Sequence, residues 1–414
     1  MRIKKFSQKY NLSYDTIRYY IKLNLLVPEK IGGQYFFNEE CRSDIEEVLK
    51  LKEMEFSLQE IKEILYFKRI GKLTSYQKNN YYQNLFKNKI EDIESRIEEL
   101  VHAEEDLNKK LDELLSDNYD SSYRMGIDLS ALPLFSCPDC GGKLSLSADS
   151  VAENQILEGE LNCSCGRSLK IKDGILYSFD PAAEKMDLKT GNNEYNHIES
   201  YVKTTDSDYM DKTYKGLEWM KREIDFENLK GKVILEPGSG FGFLLRHIYN
   251  DLPEDCVYIC VDKNPDYNIF LKKTLELSHQ KKKIIFINAD LPELPLKDNT
   301  ADYMLDFTGI TGYSFERGGF LPELLNDYLK DDIKVLATFI IYHRFGPKNI
   351  VPENLRKYFR YQNIKDAFIE LGFKIEEEVK SEIEKIDEDI GEYEQFAQIA
   401  DQIYSYQLKL RRWS

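Results

Sequence analysis

The apolar positions of this 414-residue chain do not keep one period, and each change of period marks a change of element. A short helix is expected through Lys4 to Lys9, then a break at Asn11-Leu12-Ser13. A second helix follows through Ile21, with Ser13 as its N-cap and with Ile17 and Ile21, one turn apart, facing a core. From Phe86 the steps become three and four, through Ile90, Ile93, Ile97, Leu100, Leu107, Leu111 and Leu114, with Glu104 where an apolar residue is due. Such a seam predicts a coiled-coil helix from about residue 75 to 115, on the order of 60 Å long. Further on, short apolar runs end near Leu235, Val261, Asn288, Asp306 and Tyr342, each of strand length, as in an open parallel α/β sheet. The tail from Glu382 to Tyr404 alternates apolar and acidic residues at helical spacing and reads as a surface helix.

Composition adds little to this: 42% hydrophobic and 31% charged is a folded, helix-rich balance, and the length suggests about two to four domains. No apolar run reaches the roughly 20 residues that cross a bilayer, and the start MRIKKFSQKYNLS has no apolar signal stretch. A cytoplasmic location without a membrane partner is therefore expected. In that reducing compartment, clustered pairs among the seven cysteines point to metal before disulfides. Charge changes the picture more. The net charge of −16 hides seven Lys/Arg against two Asp/Glu in residues 1–30, a basic face able to hold phosphates, while the acidic remainder repels them on average and argues against an RNA substrate.

Tyr14, Thr16, Arg18, Tyr19, Tyr20 and Lys22 of the second helix, with Lys4 on the first, mix hydrogen-bonding groups, cations and aromatics suited to a major groove. Taken alone, they also describe a basic amphipathic helix pair with no DNA role. The run Thr16-Ile17-Arg18-Tyr19-Tyr20-Ile21-Lys22-Leu23-Asn24-Leu25-Leu26, followed by Pro28, resembles the first helix-turn-helix of the MerR family of bacterial regulators. Gly33-Gln34-Tyr35-Phe36-Phe37-Asn38-Glu39-Glu40 is similar to that family's wing, and Leu51 to Ile61 to its second helix pair. The resemblance implies double-stranded DNA as partner. It also implies that the long helix pairs antiparallel with its twin, giving a homodimer on a two-fold symmetric operator. The family's wing usually carries arginine where Tyr35 stands and tyrosine where Phe37 stands, so Tyr35 offers a hydrogen bond without the charge. Glu104 in the seam calls for a cation, with Lys109 and Lys110 near. A long helix packed on its own chain is the alternative.

Cys137-Pro-Asp-Cys140-Gly-Gly and Cys163-Ser-Cys165-Gly outline a tetrahedral zinc site closed by four thiolates, and therefore structural. The second pair departs from the commoner Cys-x-x-Cys. The segment through Ile175 resembles the zinc ribbons similar to Trm112 that accompany some methyltransferases. Cys41, Cys256 and Cys260 stand singly and read as core residues.

Lys232 to Leu245 reads as an apolar strand, an acidic residue, three alternating glycines and a helix start. Gly238, Gly240 and Gly242 let the backbone approach a ligand, and Glu236 can reach a cationic group. The second strand ends in Asp262, placed for both hydroxyls of a ribose, and the third at Asp290-Leu291, placed for an adenine amino group. A nicotinamide cofactor is the competing reading, but it wants G-x-G-x-x-G/A and position 243 is Phe. The set Glu236, Gly238, Gly240, Gly242, Asp262 and Asp290 resembles the motifs of class I methyltransferases, which implies S-adenosylmethionine as cofactor. Methyl transfer of this class can work by alignment alone. Asp306 and His343, after the fourth and fifth strands, are weak catalytic candidates, each also readable as a rim residue. Lys281 to Lys283 reads as a solvated loop.

The expected protein is multidomain: an all-α winged helix-turn-helix over 1–73, a coiled-coil helix over 74–118, a small zinc ribbon over 130–180, and a doubly wound, Rossmann-like α/β methyltransferase domain over 195–414. The order suggests a transcription regulator whose last domain senses S-adenosylmethionine or a small-molecule effector. The alternatives are a methyltransferase for a small-molecule acceptor, less readily rRNA, that controls its own supply, and a retired methyltransferase fold serving as a shell.

Overall fold

The computed structural model describes residues 1–71, 75–116, 123–179, 196–278, 280–386 and 396–412. The chain forms two units, Met1–Asn118 and Tyr119–Ser414.

In the first unit α1 (Ile3–Tyr10) and α2 (Tyr14–Lys22) make the helix-turn-helix. α1 stops at Asn11, which is left-handed, and α2 starts at Ser13, whose Oγ accepts from the Thr16 amide at 3.0 Å. β1 (Glu29–Ile31) and β2 (Gln34–Phe36) form an antiparallel wing turned by Gly32-Gly33, both at positive φ. α3 (Glu39–Glu53) and α4 (Leu58–Ile70) complete the unit, α4 opened by a reciprocal capping box between Ser57 and Glu60. Arg69 of α4 reaches Asp44 of α3 at 2.6 Å and the Leu25 carbonyl at 2.8 Å, which fixes the end of the helix-turn-helix against both. Phe6, Ile17, Phe37, Ile45, Val48 and Ile61 fill the core.

α5 (Ser75–Ser116) is 42 residues, about 63 Å at 1.5 Å per residue. Tyr82 and Leu85 of its first turns pack on that core. Beyond them most of the seam is bare in a single chain: Ile93 is half-buried, but Ile90, Ile97, Leu100, Leu107, Leu111 and Leu114 are all more than half exposed. Lys110 pairs with Glu113 at 3.0 Å.

The second unit opens on β3 (Ile127–Asp128), β4 (Leu144–Ala152), β5 (Gln155–Cys163), β6 (Ser168–Lys172) and β7 (Ile175–Tyr177). After α6 (Asn196–Thr204) and α7 (Ser207–Glu223), strands and helices alternate: β8 (Val233–Pro237), α8 (Phe243–Ile248), β9 (Val257–Asp262), α9 (Pro265–Glu276), β10 (Lys283–Asn288), β11 (Ala301–Phe307) and α10 (Gly309–Glu316). The last elements are α11 (Leu321–Leu324), β12 (Leu329–Arg344), α12 (Tyr361–Glu370), β13 (Phe373–Lys380), β14 (Glu384–Lys385) and β15 (Gln402–Arg412). The sheet runs β13-β15-β12-β11-β8-β9-β10, with β10, β9, β8, β11 and β12 parallel and β15 antiparallel. Successive strands step one way from β8 to β10 and the other from β11 to β12, so the order reverses between β8 and β11: a doubly wound sheet with its crevice at that point. Strand β8 is buried along its whole length between two apolar layers, as a central parallel strand must be.

Three expectations change. The ribbon, expected as a domain of its own over 130–180, is continuous with the α/β sheet: β7 pairs parallel with β10, Phe286 opposite Ile175 and Asn288 opposite Tyr177. The tail is not a surface helix: Glu384–Lys385 and Gln402–Arg412 are strands, β15 lying between β12 and β13 with Tyr406, Leu408 and Leu410 buried, while 387–395 lie outside the described residues. Central placement in the sheet overrides the helical spacing read from the acidic residues before it. Lys281 to Lys283 are not merely solvated. Lys281 pairs with Glu153 at 2.6 Å, Lys282 donates to the Leu252 carbonyl at 2.5 Å and Lys283 reaches Ser130 at 3.3 Å, so the triplet is tied to the ribbon and to the connection before β9. No helix among the described residues is long and apolar enough to cross a membrane.

Candidate cofactor cavity, cysteine cluster and helix-turn-helix

The last residue but one of β8 is Glu236, whose buried carboxyl accepts from the Tyr258 hydroxyl of β9 at 2.9 Å. Burial pushes Glu236 up to about 8. The glycine turn follows. A Cβ on Gly238 would stand 2.8 Å from Gly309 Cα and one on Gly242 would strike Leu271, whereas one on Gly240 meets nothing within 4 Å. Two of the three glycines thus serve packing, and the third leaves open space beside the loop. Gly309, which sequence reading missed, is tighter still: its Cβ would lie 1.9 Å from the Pro237 carbonyl oxygen.

Asp262 at the end of β9 takes the Gly240 amide on Oδ2 at 2.9 Å and the Asn264 amide on Oδ1 at 2.8 Å, leaving each oxygen a lone pair for a ligand hydroxyl. Burial raises it to about 6 against the pull of those amides. Asp290 is not free for an amino group: Arg317 pairs with it at 2.5 Å. Leu291 is buried beside it. Glu236, Gly238, Gly240, Asp262, Asp290 and Leu291 line one cavity of about 480 Å³ at the switch point. Gly242 lies behind it, under Leu271.

Neither catalytic candidate lines this cavity. Asp306 is fully buried, its Oδ1 accepting the Ile310 amide at 2.9 Å at the start of α10 and its Oδ2 without a partner among the described residues. His343 is exposed at the far end of β12. Burial pushes Asp306, like Glu236, up to about 8. For acids raised in the folded state, their contribution is complete below about pH 4, falls while only the unfolded chain ionises, and is gone above the folded value. Stability of this unit is therefore expected to decline as pH rises from about 4 to 8. Asp306→Asn keeps the bond to Ile310 and should flatten the decline and raise the melting temperature at pH 8. An unchanged pH profile of thermal unfolding would count against this assignment.

The four Sγ atoms of Cys137, Cys140, Cys163 and Cys165 lie within 4.8 Å of one another, with Cys137 to Cys165 at 3.6 Å and Cys140 to Cys163 at 3.5 Å. A tetrahedron with Zn–S arms of about 2.3 Å has edges of about 3.8 Å, so the set fits zinc. Gly142 sits against the sulfurs, where a Cβ would stand 3.1 Å from Cys140 Sγ. Cys41, Cys256 and Cys260 are buried singly.

On the helix-turn-helix, Lys4, Tyr14, Arg18, Tyr19 and Lys22 are exposed, and Thr16 Oγ1 lies 2.8 Å from Ser13 Oγ. Tyr20 is corrected to a core residue at 2% exposure, because it stands one turn from Ile17 on the inner face. Tyr35 is half-buried with Lys30 Nζ 5.7 Å over its ring, so the wing keeps a positive charge one strand away from where the family usually places arginine.

Residues 1–68 match the family described as MerR HTH family regulatory protein, and the chain carries a MerR-type helix-turn-helix at its N-terminus. No curated protein matches the chain. Among solved structures it is similar to a SAM-dependent methyltransferase from Aquifex aeolicus, at 14% identity over 51% of this chain and 93% of that one, TM-score 0.34. A second is a SAM-dependent methyltransferase from Thiobacillus denitrificans in complex with S-adenosyl-L-homocysteine, at 15% identity over 48% and 91%, TM-score 0.35.

Proposed function

We propose that this protein is a dimeric, DNA-binding transcription regulator whose second unit binds S-adenosylmethionine in the switch-point cavity, and that it works in the cytoplasm. The observation that supports the cofactor reading best is the joint position of Glu236, the Gly240 loop and Asp262 on one cavity. Glu236 and Asp262, neither in an ion pair among the described residues, suit a ligand with a positive sulfonium and amine and a ribose diol. Asp262 would hold the diol, Glu236 would face the cationic end, and Leu291 with Phe243 would flank the ring system. The bare seam of α5 favours pairing with a second copy, and zinc in the cysteine cluster would be structural.

The test is binding of the full-length protein to its own promoter duplex at about 150 mM salt, with and without S-adenosylmethionine. Sequence-preferring binding that shifts with the cofactor supports the reading; binding without sequence preference removes its first half. Arg18→Ala is expected to lower affinity by about tenfold and the salt slope by about one, because Arg18 is exposed on the outer face of α2, with Asp15 3.8 Å away. A small-molecule methyltransferase is the second reading, favoured by a cavity wall that extends past the cofactor residues to Thr338 and Phe396. Accumulation of S-adenosylhomocysteine only when a metabolite extract is added would support it.

A further inference from the structure

The cavity has two halves of different chemistry. Glu236, Asp262 and Asp290 stand over the ends of β8, β9 and β10; the other half lies over β11 and β12 and is walled by Tyr209, Phe307, Phe315, Phe396 and Tyr404. Phe315 and Phe396 stack at 5.3 Å, and Tyr209 lies 6.2 Å from Phe396. Thr338, 3% exposed, lines this half, and its Oγ1 has no hydrogen-bond partner among the described residues. A buried hydroxyl without a hydrogen bond is destabilising, and a ligand acceptor at that point would relieve the cost. The lining cations are all engaged, Lys212 with Glu384, Lys263 with Glu316 and Arg317 with Asp290. Carboxylates outnumber cations along the wall, so an anion would meet repulsion and no open partner.

The geometry points to a second ligand subsite here that takes a planar nitrogen heteroaromatic, neutral or cationic, with one acceptor atom on the Thr338 hydroxyl. This names the effector or acceptor class and rests on the cofactor reading, which assigns the other half. Flat rings suit the aromatic faces, a positive or polarisable ring gains from them, and a single orphan hydroxyl asks for a single hydrogen bond.

The experiment is calorimetric titration of quinoline, naphthalene and 2-naphthoate into the full-length protein, with Thr338→Val beside it and S-adenosylmethionine titrated into the same preparations. Quinoline should bind at least about tenfold more tightly than 2-naphthoate. Thr338→Val should weaken quinoline about fivefold and leave naphthalene unchanged. Quinoline affinity should also survive saturation with S-adenosylmethionine. Equal or tighter binding of 2-naphthoate, no saturable quinoline binding, indifference to Thr338→Val, or displacement of quinoline by the cofactor would each overturn the subsite. Failure of S-adenosylmethionine to bind, with the quinoline pattern intact, would instead overturn the cofactor reading alone. Thermal unfolding of Thr338→Val within about 2 °C of the parent shows that the variant is folded.

Discussion

Cys163→Ser is expected to abolish metal retention and to lower the stability of the whole second unit, not of the ribbon alone. Cys163 ends β5, and its amide and carbonyl also hold the second knuckle, accepting from Gly166 at 3.1 Å and donating to Arg167 at 2.8 Å. Four thiolates around zinc are worth on the order of 10 kcal/mol in small metal-dependent folds, more than a ribbon of this size gains from its own core. The loss does not stop there, because β7 is the neighbour of β10 and the ribbon residues Leu161, Leu169, Ile171 and Leu176 share an apolar layer with Ile285 and Ile287. Metal content per chain and the thermal melt of the full-length protein measure both effects. About one zinc in the parent, none in the variant, and a melting temperature lower by more than about 10 °C are expected. A parent purified without zinc, or a variant that melts like it, would refute the structural role.

Asp262→Ala should weaken S-adenosylmethionine binding by two orders of magnitude or more. The carboxylate has two tasks: it anchors the Gly240 and Asn264 amides and offers the remaining lone pairs to a ribose diol. Hydrogen bonds to a charged group contribute about 1.5–3 kcal/mol each, so losing two to the ligand corresponds to about a hundredfold or beyond. Asp262→Asn, which keeps one acceptor oxygen, should fall between. Burial holds Asp262 near 6, so affinity in the parent should improve as pH rises through that value and the alanine variant should not follow. Titration at pH 5.5 and 7.5 reads this directly; a pH-independent parent would exclude Asp262 as the group that binds the diol in its ionised form.

The parts of this molecule that were legible in its residues are those set locally. Ser13 caps α2 because a side-chain oxygen one residue before a helix meets its free amides, and that rule needs only neighbours. The third strand, Lys283–Asn288, and the glycine turn were equally plain, since an apolar run and a Gly spacing state their own geometry. What escaped depended on distant partners. Tyr20 looked like a reading residue until Phe6 and Ile17 enclosed it. Arg317 lies 27 residues after Asp290, and nothing in either neighbourhood announces their pairing. Thr338 sits inside an apolar strand where only the cavity gives its hydroxyl meaning, and Asp306 is explained by the start of α10 behind it. The strand character of the tail was hidden for the same reason, because β15 is made a strand by β12 and β13 on either side.

The parallel seam between β7 and β10 also sets an order of events during synthesis. Tyr177 leaves the ribosome roughly 100 residues before Lys283, an interval of about five to twenty seconds at ordinary elongation rates. Throughout it the three-residue β7 has only β6 beside it, and the long-range pairing it awaits is the slow kind. The cysteine cluster closes within residues 137–165, wholly on the early side of that interval. Metal capture would therefore come first and hold an edge in shape for a partner not yet made. Chains synthesised under metal starvation should expose β10 as an open edge and accumulate as insoluble protein, even when metal is restored after translation has finished.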